Sequence, residues 1–129
     1  MRRPRTFGAH GYALTPARKL ILVKLRYAPG WRLAGGGRQP RENATDAALR
    51  ELREEIGMIG HGRVRLACEL EQYSDFRRDL ASVVIVEDVR YRPHWSWEIE
   101  QVIEVSPDQL PPGMSPLAAE WITAVRQAL

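Results

Sequence analysis

The chain has one cysteine, Cys68, in 129 residues. An internal disulfide is therefore excluded, and a single thiol fits a reducing compartment. Cys68 lies in an apolar, strand-like run, so buried filler is its expected role. Long apolar runs are missing too. No stretch approaches the ~20 residues of a membrane span, and the first residues carry no apolar segment of the signal-peptide kind. The reading is a cytoplasmic protein with no membrane partner. Histidine is scarce: His10, His61 and His94 lack metal-ligand spacing, and each reads as a surface or satisfied polar residue. Neither a P-loop pattern nor a serine or cysteine nucleophile arrangement is present. No repeat, low-complexity segment or compositional break divides the chain, which reads as one domain over 1–129, large enough for a real core.

What is present is soluble-globular in kind: 44% hydrophobic and 27% charged residues leave room for both a core and a solvated surface. The net charge of +3 is mildly basic. Much of the excess is local. Arg2, Arg3 and Arg5 mark residues 1–5 as a basic flexible tail, and Arg63, Arg65, Arg77 and Arg78 follow later. Such an excess suits an anionic substrate, or RNA. Solubility is the preferred explanation, because no basic stripe interleaves with several aromatics as in a single-strand platform.

The informative stretch is 36–58, GGRQPRENATDAALRELREEIGM. Asn43 is placed to cap a helix over 44–56, and Gly57 to end it. Ala44, Ala48, Leu52 and Ile56 form its core stripe at helical spacing. Glu51, Glu54 and Glu55 cluster at i, i+3 and i, i+4 beside that stripe, where like charges destabilise a helix. A divalent cation would relieve the repulsion, since hard cations take carboxylate oxygens. On the helix alone the default remains a charged surface helix with Arg50 and Arg53 as partners.

The spacing overturns that default. Gly36, five residues, Glu42, seven residues, then Arg50-Glu51-Leu52-x-Glu54-Glu55-x-Gly57-Met58 fills every position of the Nudix box. The chain thus resembles the Nudix hydrolases, which cleave nucleoside diphosphates linked to another moiety. The resemblance implies an α/β fold, an α/β/α sandwich around a mixed sheet with the box as a loop-helix-loop. It implies that Glu51, Glu54 and Glu55 bind metal, Mg²⁺ or alternatively Mn²⁺, with the Gly35 carbonyl as a further ligand. It also implies that Glu42 and Arg50 brace the loop against the helix, with Arg50 orienting carboxylates. The general base is Glu51 in some relatives and a later acid in others; here Glu98 comes first and Glu100 second. Ala34 stands where many relatives carry proline, and Gln39 and Arg41 also depart from common choices. Glu104 replaces a frequent tryptophan.

Around the box, 7–14 and 19–26 read as strands joined in a hairpin, the second of them central in its sheet. Residues 63–73 and 80–91 read as two further strands, separated by a turn over 74–79. The aromatic loop 92–97 supplies Trp95 and Trp97, which with Tyr91 could stack on a base or pack the end of the sheet. Ser115 and Pro116 open a last helix with a stripe of Leu117, Trp121, Ile122 and Val125. Tyr73 lies near a tyrosine position of dinucleoside-polyphosphate members, and the absence of proline between the box and Pro93 argues against the ADP-ribose type. Three functions stay open: a metal-dependent pyrophosphohydrolase of a small nucleotide or nucleotide-linked molecule, a nucleotide-sensing binding module, and an RNA 5′-end pyrophosphohydrolase. The intact acid set favours the first. A homodimer is left open.

Overall fold

The computed structural model describes residues 5–74 and 77–129. The chain runs β1 (Arg5–Ala13), β2 (Leu20–Leu25), β3 (Trp31–Arg32), β4 (Ala34–Gly37), α1 (Ala44–Ile56) and β5 (Met58–Gly60). It continues with β6 (Val64–Ser74), β7 (Arg77–Val86), β8 (Arg90–Tyr91), β9 (Ile99–Val105) and α2 (Pro116–Ala128). Four strands form a sheet in the order β4-β1-β7-β6, three form another in the order β3-β2-β9, and β5 pairs with β8. The first sheet is mixed: β1 runs antiparallel to β4, Ala9 opposite Gly36, and parallel to β7, Phe7 opposite Leu80. Of the basic tail, 1–4 lies outside the described residues and Arg5 opens β1.

Strict alternation builds the layers. In β1 and the residue after it, Ala9 and Ala13 join one core cluster while Tyr12 and Leu14 join the other; in β2, Ile21 and Val23 oppose Leu20 and Leu22; in β7, Val84 and Val86 oppose Val83 and Ile85. Successive strand side chains point to opposite faces, so strands buried on both faces read as continuous apolar runs. Ala47, Ala48, Leu52 and Ile56 of α1 complete the first cluster, and Trp121, Ile122 and Val125 of α2 the second. The helices therefore cover opposite faces, and the α/β/α sandwich is the observed architecture.

Helix α1 has the bounds its caps dictate. The Asn43 side chain accepts from the Asp46 N–H at 2.8 Å, and Gly57 ends the helix in the left-handed region at φ 74°. A Cβ on Gly11 would stand 3.0 Å from a Leu52 methyl, so the bare backbone of β1 lets α1 pack close.

Several local expectations give way. β1 and β2 form no hairpin; a single bridge, Leu14 to Leu20, links them. Both edges of β1 are taken by β4 and β7, and β2 is instead the middle strand of the second sheet. The run 80–91 breaks at Asp88, whose φ is 52°, so β7 ends at Val86 and β8 turns away to pair with β5. The turn over 74–79 shrinks, since β7 begins at Arg77; residues 75–76 lie outside those described, and so does the Tyr73 side chain. Ser115 makes no side-chain cap on α2, and its backbone N–H donates to the Trp31 carbonyl. Ala118 takes the buried position expected of Leu117, which is 44% exposed. Cys68 is half-buried against the α2-side cluster, and burial pushes its thiol pKa up.

Candidate active site

The site forms where β4 meets α1. β4 is a strand of small residues, Ala34 followed by Gly35, Gly36 and Gly37. A Cβ on Gly36 would lie 2.9 Å from Glu51 Oε1, and one on Gly35 would lie 2.5 Å from the Ala9 carbonyl oxygen. Gly36 thus lets the strand backbone approach the Glu51 carboxylate, and Gly35 lets it lie close against β1.

Arg50 is the hub. Its Nε donates to Glu42 Oε2 at 2.8 Å and Nη2 to Glu42 Oε1 at 2.9 Å, a two-pronged pair. Nη1 reaches Glu51 Oε1 at 3.0 Å and Glu54 Oε2 at 3.2 Å, while Nη2 also meets the Gly37 carbonyl at 3.1 Å. One guanidinium therefore ties the loop end, the strand and two helix acids together. The Arg50 fork holds Glu42 down to about 2, helped by the Gln39 N–H that Glu42 accepts.

Glu55 differs from its neighbours. It is 6% exposed, on the buried face of α1, and its Oε2 accepts from the Gly35 N–H at 2.9 Å. Burial raises its pKa first, then a hydrogen bond to Glu51 and the negative charges of Glu51 and Glu98. Two carboxyl groups in contact, one buried, hold a proton between them unless a cation replaces it. Sequence reasoning placed Glu55 at the border of the core stripe; the structure places it inside.

A cleft of about 390 Å³ gathers Gly35, Gly36, Gly37, Glu51, Glu54, Glu55, Ser96, Trp97 and Glu98. Glu98 arrives through the 95–98 loop. The Arg26 N–H donates to the Glu98 carbonyl at 2.9 Å, Arg26 Nε donates to the Ser96 carbonyl at 3.1 Å, and Ser96 Oγ accepts from the Glu98 and Ile99 N–H groups. Trp95 and Trp97 meet edge to face with centroids 4.5 Å apart and are 63% and 81% exposed, so neither packs the end of the sheet. Tyr91 and Glu100 do not line the cleft. The Tyr91 ring packs on the α1-side core and its hydroxyl donates to Glu104 at 2.6 Å. Glu100 is exposed on β9.

Among the described residues no three His, Cys, Asp or Glu side chains converge on one point. The reason is Arg50, which draws Glu51 and Glu54 to itself while Glu55 turns to the Gly35 N–H. The chemistry nevertheless fits a hard divalent ion: four carboxylates face one cleft, and the most buried of them carries a pKa raised by burial first and then by its like-charged neighbours.

Two residues escaped the sequence reading. His10 stacks on Trp121, ring centroids 4.1 Å apart, and burial together with the Arg32 charge lowers its pKa to about 4. Arg32 is the second. Both line a cavity of about 280 Å³ that shares Gly35, Gly36, Glu55 and Glu98 with the acidic cleft. Neither position carries a spacing signal. A further cavity of about 790 Å³ lies around Phe7, Arg38 and Pro40 and meets the cleft at Gly37.

Comparison with known proteins gives the family. The NUDIX domain pattern matches residues 4–125. A Bacillus subtilis (strain 168) protein named "Putative 8-oxo-dGTP diphosphatase" is 42% identical over 52 residues, 40% of this chain and 35% of that protein. The chain thus spans about a third of the length of the curated relative it matches. The crystal structure of a MutT NUDIX hydrolase from Burkholderia pseudomallei superposes with a TM-score of 0.78 at 22% identity, covering 97% of this chain and 98% of that one. A MutT protein from Methanosarcina mazei Go1 gives 0.73 at 20% identity, covering 99% and 95%. These two likenesses are of fold. With the pattern matched along nearly its whole length, the chain belongs to the NUDIX family of hydrolases.

Proposed function

We propose that this chain is a metal-dependent pyrophosphohydrolase that cleaves a nucleoside diphosphate linked to another moiety by water attack on phosphorus. The observation that carries the reading is the cleft lined together by Glu51, Glu54, Glu55 and Glu98, with Glu55 buried at its wall. A nucleotide sensor has no need of four carboxylates lining one cleft. The name of the Bacillus subtilis relative points to a nucleoside triphosphate among the substrates to try. Among the described residues no helix is long and apolar enough to cross a membrane; the lone thiol of Cys68 suits a reducing compartment, and we read the working location as the cytoplasm.

Glu51, Glu54 and Glu55 would hold Mg²⁺, or Mn²⁺ in its place, with the backbone of Gly35 alongside. Bound there, the ion supplies positive charge against the diphosphate oxygens and a more acidic water. The rest of the work falls to this chain's own groups. Arg50 keeps Glu51 and Glu54 oriented and ties them to the Glu42 loop. Glu98, exposed at the cleft and fixed through Ser96 and Arg26, takes the proton of the attacking water. Trp97 borders the cleft, and with Trp95 it offers exposed rings to the non-phosphate moiety.

The test is a screen of nucleoside triphosphates, nucleotide sugars, dinucleoside polyphosphates and capped RNA with Mg²⁺ and with Mn²⁺. Phosphate-containing products should appear with at least one small nucleotide and vanish in excess chelator. Full activity in chelator would refute the metal-assisted mechanism. Binding without turnover across the panel would leave the sensor reading in front, and cleavage of capped RNA alone would favour the RNA-end reading.

A further inference from the structure

The spacer between the glycine strand β4 and helix α1 builds a second cavity. It measures about 790 Å³ and meets the acidic cleft at Gly37. A Cβ on Gly37 would touch nothing within 4 Å, so the junction is open on that residue's side. The Phe7 ring, 39% exposed, and Pro40 give the cavity apolar walls. Two guanidiniums, those of Arg38 and Arg41, give it positive charge. The one acid on its lining is Glu42, and Arg50 and the Gln39 N–H already take both of its oxygens. The acidic cleft and this cavity therefore carry opposite charge on either side of Gly37.

Arg38 is fixed at both ends. Its backbone N–H donates to the Phe7 carbonyl at 2.9 Å, its Nε donates to the Glu42 carbonyl at 3.1 Å, and its guanidinium carbon sits 5.5 Å from the Phe7 ring centroid. Its two terminal nitrogens make no hydrogen bond among the described residues. Arg41 is the more unusual. It is exposed, its guanidinium has no hydrogen bond or ion pair among the described residues, and its φ is 66°. That backbone favours glycine. Arg18 shares the left-handed conformation at φ 65°, but there the guanidinium pairs with Glu87 at 2.9 Å. A large side chain held in such a conformation with no partner inside the protein points to a partner outside it.

We propose that this cavity is an anion site, in which Arg38 and Arg41 hold a phosphate group outside the acidic cleft and apart from its carboxylates. Guanidiniums donate in pairs to phosphate oxygens, and two of them on one short loop make a cluster of the kind that recognises phosphorylated ligands. The volume is that of an ordinary ligand site, enough for a phosphate and the sugar or ring that carries it, whose apolar face would lie on Phe7 and Pro40. Two sources share this chemistry: a phosphate of the substrate that reaches past Gly37, and a free phosphorylated anion. The inference goes beyond the hydrolase reading and does not need it, because neither metal nor cleavage enters.

The test is calorimetric titration of inorganic pyrophosphate into the protein in excess chelator, where the acids of the cleft repel the anion and the basic cavity alone should take it. Wild type should bind saturably. Arg38→Gln and Arg41→Gln should each weaken binding by roughly three- to tenfold, between the reach of an exposed ion pair and that of a charge-assisted hydrogen bond. Arg63→Gln removes the same charge from an exposed residue outside both cavities and should change affinity by less than about twofold. Arg41→Gly removes the guanidinium and relieves the backbone, so its unfolding midpoint should match or exceed that of wild type while binding weakens. A nucleoside triphosphate that binds more tightly than pyrophosphate would mark the substrate's own phosphate as the occupant; equal or weaker binding would mark the free anion. No saturable binding by wild type, or an equal loss in Arg63→Gln, would overturn the site, and so would unchanged affinity in Arg38→Gln and Arg41→Gln alike. Failure of the hydrolase reading looks different: pyrophosphate would still bind in chelator while no nucleotide is cleaved with Mg²⁺ or Mn²⁺.

Discussion

Arg50 grips Glu42 across the loop-helix junction with two parallel hydrogen bonds, Nε to Oε2 at 2.8 Å and Nη2 to Oε1 at 2.9 Å. The same guanidinium holds Glu51 and Glu54. Loop and acids are thus positioned by one side chain, which gives the first prediction. Arg50→Lys keeps the charge and loses the fork. Turnover should fall by roughly tenfold to a hundredfold, the usual cost of a small misplacement of reacting groups. Wild-type kcat in the lysine variant would show that the fork is not needed for orientation.

The second prediction separates stability from activity at Glu55. Its folded pKa is raised, by burial and by Glu51. The folded state therefore keeps a proton near neutral pH that the unfolded chain has released, and stability falls as pH rises through that range. Glu55→Gln retains an oxygen for the Gly35 N–H and removes the proton uptake that folding requires. Without metal it should be more stable than wild type by about 0.5–2 kcal/mol, the common gain from relieving a strained active site. Its turnover should drop, and the Mg²⁺ concentration for half-activity should rise. Glu54→Gln, at an exposed position, should show the second pair of effects without the first. Denaturant midpoints and metal titrations of activity check both.

Glu98 is tested by its own substitution. As the base it should cost roughly a hundredfold or more in kcat when changed to glutamine. The metal requirement should stay near that of wild type. Activity within a small factor of wild type would remove Glu98 from proton transfer and return that role to Glu51.

His10 gives a pH signature of the opposite sign to that of Glu55. Its folded pKa of about 4 lies below the ordinary 6.5, so below pH 6.5 the unfolded chain takes up a proton that the folded chain refuses. Stability should fall as pH drops from 6.5 toward 4, by up to roughly 3 kcal/mol from this residue. In His10→Gln the difference in urea midpoint between pH 7 and pH 4.5 should shrink. An identical pH dependence in both proteins would show that His10 is not held neutral by the fold.

How much of this the sequence carries depends on the range of the interaction. Helix α1 is legible to the residue, because Asn43, Gly57 and the alanine–leucine stripe act within a few positions of one another. Glu42, Arg50, Glu51, Glu54 and Glu55 are legible for the same reason. The partners of β1 are not. Periodicity marks β1 as a strand but is silent on what lies beside it, and β7 is a distant stretch of chain. The failed hairpin has that cause. Arg32, His10 and Trp121 meet only because β1, β3 and α2 come together in space, and no local pattern sets such residues apart. Glu55 was visible as an acid and invisible as a buried one, since the helical stripe is wide enough to include it only once β4 supplies the Gly35 N–H.

The parallel pairing of β1 with β7 also sets a clock. Phe7 lies opposite Leu80, a separation of 73 residues. At about 5–20 residues per second of synthesis, the N-terminal strand waits roughly 4–15 seconds for its neighbour to leave the ribosome. Helix α1 and the glycine strand β4 are made well inside that interval. During it the apolar stripe of α1 has no completed sheet to cover it, and long-range strand pairing of this kind is slow even in the free chain. The nascent protein therefore passes through a window in which its acidic helix is exposed on its greasy side, and that window is where a chaperone or a misfolding partner would find it.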